Sequence, residues 1–414
     1  MDTDTHQQVV LQSISTSDLH DAVTKHVYNP EVFVDTVIRE SINLSASDLL
    51  FEPQVDAVRV RVRIDGTLYD VGRVAAHAFI PIAARLKVLG NVDSVERKQI
   101  QESQISLEHD GRIVNLRLEI VKTIFDELIV IRIHEKRTIV MELTELGLNQ
   151  TAYQTYKDMI KASNGLILVC GPTGCGKTTT LYSTLNHINK QQSFNIMTVE
   201  DPVEFQLAGV NQLQVHEAQG FSFAEGLRTI LRLSPDVIFV GEIRDKETAQ
   251  TAIESGLTGH LVFSTVHSPD AVGTLFRMVD LGIETYLLNT ALIGVLSQRL
   301  VRLNCEKCRE QYDLNDEEKQ LFQTVLGHVP EKLTRGKGCV DCHYLGFKGR
   351  TGIYEVLEMS ATMRDMVRSG ASEDIIRQSL AKSGFVSLFK DGLTKCEQGL
   401  TTFDQVTRNH IRPW

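Results

Sequence analysis

The sequence predicts an α/β protein in two parts: a mixed α/β domain, then a larger domain built on a mostly parallel sheet. Strongly alternating segments such as AVRVRVRI occupy the first part and predict β-strands. Short apolar strands alternate with helical stretches in the second part, which is typical of a parallel sheet covered by helices. Two CxxC motifs between residues 300 and 350 predict a small metal-binding insert.

The composition excludes several classes of protein. The 414 residues allow two or three domains, and 43 Lys and Arg against 53 Asp and Glu give a net charge of −10. This balance does not suit a protein whose main partner is nucleic acid, because phosphate binding needs a basic face. The N-terminus lacks the basic start and apolar core of a secretory signal, and no segment has the length of a membrane-spanning helix. We therefore expect a cytoplasmic chain with reduced thiols, and its seven cysteines do not predict a disulfide framework.

The first domain is predicted to span residues 31–137, after a polar N-terminal segment over residues 1–30 with one short helix around Asp18–Lys25. The segment PEVFVDTVIRESINL has apolar residues at helical spacing. The next segment predicts a hairpin that turns on the Asp-Gly pair at 65–66. A helix over Ile80–Leu89 and the strands RIVNLRLEIV and ELIVIRIHE complete a mixed α/β domain.

Residues 138–414 predict the second domain. Its apolar strands are GLILVC, NIMTVE, DVIFVGE and HLVFSTVH, and helical sequence separates them. Residues 300–350 contain several Cys and Gly residues and are predicted to form the small insert within this domain. Residues 360–414 predict amphipathic C-terminal helices.

A strand leads into GPTGCGKT and a helix follows it, which is the arrangement of a phosphate-binding P-loop. Glycines allow backbone N–H groups to turn toward phosphates, and the helix presents its positive N-terminus to them. Lys177 would contact the β- and γ-phosphates, and the Thr178 hydroxyl would ligate Mg²⁺. A chance match is the alternative, and the strand–loop–helix context opposes it. The sequence therefore predicts ATP and Mg²⁺, with the nucleotide bound by Gly171, Pro172, Thr173, Gly174, Cys175, Gly176, Lys177, Thr178 and Thr179.

Two acidic clusters follow apolar strands of the predicted sheet. Glu242 ends DVIFVGE, and Glu204 belongs to the cluster after NIMTVE. Carboxylates at the carboxyl ends of strands lie where open α/β sheets bind ligands, and an ATPase needs them for Mg²⁺ and for the attacking water. A solvated acid at a strand end is the structural alternative. We expect Glu242 to polarise water and Glu204 to support the metal.

Two histidines, His260 and His267, flank the strand LVFSTV. Either one alone could be a structural histidine, and their seven-residue separation on a strand directs the side chains to opposite faces. Because His267 follows the acid-bearing strand along the chain, we expect it to contact the γ-phosphate of ATP.

Taken in order, these motifs resemble the secretion ATPase superfamily of type II secretion and type IV pilus assembly. TVEDPVEF is similar to the aspartate box of that family, VGEIRD to its Walker B region, and TGHLVFSTVH to its histidine box. ASDLLFEP and RVRIDG resemble segments of its N-terminal domain, so the resemblance extends from about residue 30 to the end. It implies a RecA-like P-loop ATPase domain, a PAS-like form of the N-terminal α/β domain and a working homohexamer.

The resemblance also implies a mechanical role. ATP would bind between the two domains of a subunit, and hydrolysis would turn a platform protein of the inner membrane to assemble pilins or pseudopilins. The chain would then lie at the inner face of the cytoplasmic membrane through its partners, with no nucleic acid bound. Only about 30 residues precede the first domain, so we expect docking by another surface or membership of a compact subgroup.

Four arginines are implied at the nucleotide and subunit contact by the same resemblance: Arg117, Arg132, Arg228 and Arg232. A guanidinium stays charged and offers two parallel donors to a γ-phosphate. Without the resemblance, Arg117 and Arg132 would be interpreted as solvated charges on strands.

The two CxxC pairs are Cys305 with Cys308 and Cys339 with Cys342. Four thiolates suit tetrahedral Zn²⁺, although the spacing between the pairs exceeds that of common zinc ribbons. Redox-active pairs are the alternative. The segment GCxxCxxxGFKGRTGIYEV also resembles the tetracysteine zinc segment of the family, which assembly and secretion ATPases carry and retraction ATPases lack.

Three functions remain open from the sequence. The first is an assembly or secretion motor, and the second is a pilus-retraction or conjugation-type transfer ATPase. The third is a nucleotide-binding structural subunit without hydrolysis. Lys177 and Glu242 oppose the third, and the net charge and the cysteine pairs oppose the second.

Overall fold

The computed structural model describes residues 19–21, 23, 29–135, 140–190 and 193–408. The chain divides into two compact units: unit 1 comprises residues 1–138, 305–309 and 336–349, and unit 2 comprises residues 139–304, 310–335 and 350–414. The helix expected around Asp18–Lys25 and the expected domain boundary at residue 137 lie largely outside the described residues.

Unit 1 contains a six-stranded antiparallel sheet in the order β3-β2-β1-β6-β5-β4, so its first and last strands pair at the centre. The helices and strands are α1 (Pro30–Asn43), β1 (Ala46–Pro53), β2 (Ala57–Ile64), β3 (Thr67–Ala75), α2 (Ala76–Leu89), β4 (Gln101–His109), β5 (Arg112–Lys122) and β6 (Glu127–Glu135).

The alternating sequence of β2 explains how this sheet is built. Val58, Val60 and Val62 are buried in the core of unit 1, whereas the arginines between them face the other side and pair with acids. The hairpin turns where expected, because Asp65 and Gly66 adopt φ values of 47° and 83° in the left-handed region. Helix α2 begins at Ala76, earlier than the expected Ile80.

The segments with the four cysteines group with unit 1, whereas the sequence placed residues 300–350 as an insert within the second domain. Leu345 packs against the core of unit 1, and the Gly349 N–H donates to the Asp65 carboxylate at 2.9 Å. These contacts are made by residues far apart along the chain, so no local pattern signals them.

Unit 2 is built on a seven-stranded sheet in the order β15-β12-β7-β11-β10-β8-β9, and the pairings from β12 to β9 are all parallel. Its strands are β7 (Gly165–Cys170), β8 (Ile196–Glu200), β9 (Asn211–Gln214), β10 (Val237–Val240), β11 (Leu261–Val266), β12 (Leu292–Asn304) and β15 (Phe347–Glu358). A separate two-stranded sheet pairs β13 (Arg309–Tyr312) with β14 (Leu333–Gly336).

Helices cover both faces of this sheet. In β7, Leu166 and Leu168 enter one hydrophobic cluster, and Ile167 and Val169 enter another, as expected for a strand buried on both sides. The helices of unit 2 are α3 (Gln150–Met159), α4 (Lys177–Asn189), α5 (Phe223–Ile230), α6 (Lys246–Leu257), α7 (Ala271–Asp280), α8 (Thr285–Ala291), α9 (Asp316–Leu326), α10 (Ala361–Arg368), α11 (Glu373–Lys382), α12 (Leu388–Glu397) and α13 (Phe403–Arg408).

The parallel register brings the carboxyl ends of several strands to one edge of the sheet. Cys170 of β7 stands opposite Val266 of β11, and Val240 of β10 stands opposite Val199 of β8. The segments that follow these four strands therefore share one edge, where open α/β sheets bind ligands.

Within the described part of the chain, no helix has the length and hydrophobicity needed to cross a membrane.

Candidate nucleotide and metal sites

The P-loop connects the end of β7 to the start of α4, as the sequence predicted. Gly171 has φ +148°, and a Cβ there would lie 2.6 Å from Sγ of Cys175 and 2.6 Å from the carbonyl oxygen of Gln298. Gly176 has φ +92° and precedes the first residue of α4. Both positions require glycine, because L-residues rarely adopt such φ values and the first also lacks space for a side chain.

Lys177 and Thr178 stand at the N-terminus of α4, where the helix dipole favours anions. The Lys177 ammonium donates to the carbonyl oxygens of Gly171 at 2.9 Å and Pro172 at 3.1 Å, so it lies over its own loop. The Thr178 hydroxyl bonds to the carboxyl group of Glu204. The loop thus brings together an ammonium, a hydroxyl and a helix N-terminus. These groups suit a nucleoside triphosphate with Mg²⁺, since the ammonium and the helix N-terminus attract phosphates and the hydroxyl can bind the metal.

Glu242 lies just beyond β10, with its side chain 15% exposed. One of its oxygens pairs with Arg244, and the other lies 3.5 Å from Nε2 of His267. Partial burial and the charge of Lys177 lower the pKa of His267, although Glu242 acts in the opposite direction. The structure therefore brings Glu242 and His267 together, and Lys177 is close enough to influence the imidazole.

His260 has a different environment from His267. It precedes β11 at the opposite end of that strand, and its Nδ1 lies 3.0 Å from the carbonyl oxygen of Ser255. This contact is local and structural.

Two glutamates, one at the end of β8 and one beyond it, have different environments. Glu200 is buried and bonded to the hydroxyl groups of Tyr182 and Thr198, and it also accepts from Gln212 at 3.1 Å. Glu204 is more accessible, and its pKa is raised above the ordinary value, because shielding by the surrounding chain and the charge of Glu200 outweigh the lowering effect of its bond to Thr178. Both carboxyl groups therefore contact α4, Glu200 through the buried Tyr182 and Glu204 through Thr178, and of the two only Glu204 is exposed to solvent.

The four expected arginines lie on different elements. Arg117 of β5 stands directly opposite Arg132 of β6, and their side chains are 38% and 49% exposed. Arg117 pairs with Glu102 and Glu119, and Arg132 pairs with Asp48.

The other two arginines belong to unit 2. Arg228 of α5 pairs with Glu225 and Glu247, and Arg232 is exposed just beyond that helix. All four expected arginines thus keep exposed guanidinium groups, two of them on neighbouring strands of unit 1 and two at α5.

The four cysteines of the CxxC pairs converge, with their sulfur atoms all within 4.8 Å of one another. Cys305 lies 3.9 Å from Cys339, and Cys342 lies 3.8 Å from both Cys308 and Cys339. A tetrahedral Zn²⁺ with Zn–S bonds of about 2.3 Å separates its sulfurs by roughly 3.8 Å. These cysteines therefore fit a tetrahedral metal ion.

Backbone groups also favour thiolates at this cluster. The N–H of Gly338 donates to Cys308, and the N–H groups of Cys339 and Gly346 donate to Cys342. Burial raises the pKa of Cys342, but these N–H groups and the neighbouring thiols together lower it to about 7. Such donors stabilise the thiolate, which is the form of cysteine that binds a metal ion.

Sequence reasoning missed the residues beneath the P-loop. Gln298 of β12 donates to the Cys175 carbonyl at 2.7 Å and accepts from the Thr180 hydroxyl at 2.8 Å. Arg299 follows it and is also buried. The available signal was the polar pair Gln-Arg in the apolar segment VLSQRLV, because buried polar side chains need partners.

Comparison with known proteins identifies the family of the chain. A family model described as type II/IV secretion system protein matches residues 26–408. The chain is 40% identical over 375 residues to type II secretion system protein E of Dickeya dadantii, covering 91% of this chain and 74% of that protein. It is 39% identical over 382 residues to the type IV pilus assembly ATPase PilB of Myxococcus xanthus, covering 91% and 67%.

Solved structures show the same fold. The pilus retraction motor PilT with bound ADP matches with a TM-score of 0.59 at 26% identity, covering 91% of this chain and 96% of that chain. The ATPase DotB of Yersinia pseudotuberculosis matches with a TM-score of 0.68 at 20% identity, covering 92% and 93%, and supports the fold alone. The chain therefore belongs to the family of type II/IV secretion system proteins and is one of its ATPases.

Proposed function

We propose that this ATPase works as a homohexamer and drives assembly of pilins or pseudopilins in a type IV pilus or type II secretion machine. The observation that carries the hydrolysis is the convergence of Lys177, Glu242 and His267 at one edge of a parallel sheet, and the similarity to type II secretion system protein E and to PilB supports the machine. The partner would be a platform protein of the inner membrane, which would hold the chain at the inner face of the cytoplasmic membrane.

The residues at this edge would divide the work of hydrolysis. Lys177 and the backbone N–H groups of the P-loop bind the phosphates, and His267 contacts the γ-phosphate. Glu242 orients the attacking water and accepts its proton. Thr178 and Glu204 would hold Mg²⁺, which neutralises phosphate charge when bound.

Arginines would complete the site. Arg117 and Arg132 face the same side of their sheet, and Arg228 and Arg232 are exposed at α5. Arg117 and Arg228 can exchange their exposed acidic partners Glu102 and Glu247 for a phosphate or a neighbouring subunit, since exposed ion pairs contribute little stability.

Unit 1 would serve as a PAS-like domain, an assignment supported by its single antiparallel sheet with the first and last strands paired at the centre. Cys305, Cys308, Cys339 and Cys342 would bind one Zn²⁺, as their sulfur separations allow.

A retraction or conjugation-type transfer motor is the second candidate, favoured by the match to the retraction motor PilT. ATP turnover by the purified chain, with and without DNA, tests the transfer motor, and the effect of an inactive chain on assembly in the host tests the retraction motor. We expect turnover that DNA does not stimulate, and loss of pili or of secreted proteins when Lys177→Ala replaces the chain in its host. Stimulation by DNA, or normal assembly with Lys177→Ala, would contradict the proposal.

A further inference from the structure

Arg299 is a buried arginine whose hydrogen bonds to described residues both go to carbonyl oxygens. It lies on β12, 9% exposed, and donates through NH1 to Gln298 at 2.9 Å and through NH2 to Pro269. It forms no ion pair with a carboxylate of the described residues. Burying a charge without a counter-ion costs several kcal/mol in general, so this position is explained poorly by stability alone.

One side of Arg299 faces the phosphate loop. A Cβ on Gly171 would lie 3.0 Å from its NH1 atom, so the guanidinium lies directly behind the first residue of the loop. The backbone carbonyl of Gln298 accepts from the same NH1 group. The side chain of Gln298 donates to the Cys175 carbonyl and accepts from the Thr180 hydroxyl. Strand β12 therefore fixes both the loop and the first turn of α4 from behind.

The other side of Arg299 holds the segment that follows His267. Its NH2 group binds the carbonyl of Pro269, two residues beyond the histidine. The next residue, Asp270, caps α7 by accepting from the N–H of Gly273 at 2.8 Å, and Arg377 binds the same carboxylate. The segment is thus anchored at α7, and Arg299 ties it to the back of the P-loop.

We propose that Arg299 is a positioning residue that couples the P-loop to the His267 segment, so that the γ-phosphate is sensed by both together. The two N–H groups of a guanidinium diverge in a fixed plane and can hold two carbonyls at once, which a lysine ammonium on a flexible stem does poorly. The buried positive charge would also favour the bound phosphates. This inference rests on the proposed contact of His267 with the γ-phosphate.

The test is a double-mutant cycle on nucleotide discrimination. The ratio of affinities for a non-hydrolysable ATP analogue and for ADP, both with Mg²⁺, is measured for wild type, Arg299→Gln, His267→Ala and the double variant. We expect Arg299→Gln to lower the ratio about tenfold and to add little once His267 is gone, because coupled residues are not additive. Two independent effects that add fully would overturn the proposal.

Arg299→Lys separates charge from geometry. We expect ADP affinity close to that of wild type, since the charge is kept, and a ratio as low as that of Arg299→Gln, since one ammonium cannot hold both carbonyls. Restoration of the ratio to the wild-type value would overturn the positioning role.

Arg302→Gln is the matched control, because Arg302 lies on the same strand, is 8% exposed and donates to Gln405 at 3.1 Å. We expect Arg302→Gln to lower the melting temperature and to leave the affinity ratio unchanged. If Arg302→Gln lowers the ratio as much as Arg299→Gln does, the effect of Arg299 is structural. If His267→Ala alone leaves the ratio unchanged, the proposed sensor role of His267 fails. In that case a lower ratio for Arg299→Gln than for Arg302→Gln still supports a positioning role for Arg299 at the P-loop, and equal ratios overturn it.

Discussion

Oε2 of Glu242 lies 3.5 Å from Nε2 of His267, although the two residues follow different strands. The parallel pairing of β10 with β11 produces this proximity, since both residues lie just beyond the carboxyl ends of neighbouring strands. A carboxylate and an imidazole thereby stand side by side, with Arg244 on the other oxygen of the carboxylate.

Glu242→Gln should abolish most turnover without preventing nucleotide binding. The amide keeps the shape of the side chain but cannot accept a proton from water, so kcat should fall by about 10²–10⁴. Steady-state ATPase assays and equilibrium binding of a fluorescent ATP analogue measure the two effects. Glu254→Gln, an exposed acid on α6, is the control and should retain wild-type kcat. A Glu242→Gln protein with nearly normal kcat would remove Glu242 from the mechanism.

Turnover should fall with acidification because of His267. Burial and Lys177 place its pKa below the ordinary 6.5, so the imidazole is neutral at pH 7 and becomes charged only in more acidic solution. The imidazolium would then pair with Glu242 and hold that carboxylate away from the water. We expect a kcat profile between pH 5 and 8 with a decline below pH 6.5 that is absent from His267→Asn. The same decline in both proteins would show that another group titrates.

Thr178 and Glu204 should control the requirement for Mg²⁺. The Thr178 hydroxyl bonds to Glu204, so removing either group disturbs the other. Thr178→Ala and Glu204→Gln should each raise the Mg²⁺ concentration for half-maximal turnover by about tenfold or more, as losses of metal ligands and their supports do. Thr178→Ser keeps the hydroxyl and should behave as wild type. A serine variant as impaired as the alanine variant would indicate that the methyl group and its packing matter instead.

The sequence predicted the central strands well because their patterns are local. GLILVC coincides with β7, since six apolar residues between polar flanks can be buried on both faces of a sheet. The hairpin at Asp65 was recognisable because an Asp-Gly pair supplies the positive φ values that a tight turn needs. Helix α2 starts earlier than expected because Pro81 lies within it, and a proline inside a helix obscures where the helix begins.

Other features depend on contacts between distant segments. Arg299 and Pro269 are brought together by tertiary structure, and nothing in either local sequence identifies the other as its partner. The motif itself predicted that Cys305 binds metal, but the grouping of its segment with unit 1 depends on packing of Leu345 against a core formed by residues far earlier in the chain. Local patterns therefore identified the reactive groups, and only the structure shows what holds them in place.

Metal analysis should find about one zinc per chain, and the four clustered cysteines should account for it. Cys305→Ser or Cys342→Ser should lower the zinc content and the melting temperature, because a structural zinc contributes folding free energy directly. Chelation of the wild type should have the same effect on melting. Cys396→Ala is the control, since this buried cysteine lies in a different cluster and its loss should leave zinc unchanged. Wild-type protein without zinc, purified from zinc-supplied cells, would contradict the assignment.

Glu355 should make the stability of unit 2 depend on pH. It is 1% exposed and accepts from the N–H groups of Ala271 at 2.7 Å and Leu388 at 3.0 Å, yet burial raises its pKa to about 7 from an ordinary 4.5. Between these two values the folded chain holds a proton that the unfolded chain releases, so stability falls as pH rises through this window, by up to about 3 kcal/mol. Glu355→Gln should lose this slope in urea unfolding measured from pH 5 to 8, whereas Asp365→Asn, an exposed acid that is 73% accessible, should retain it. An unchanged slope in Glu355→Gln would show that the buried carboxyl stays ionised throughout the range.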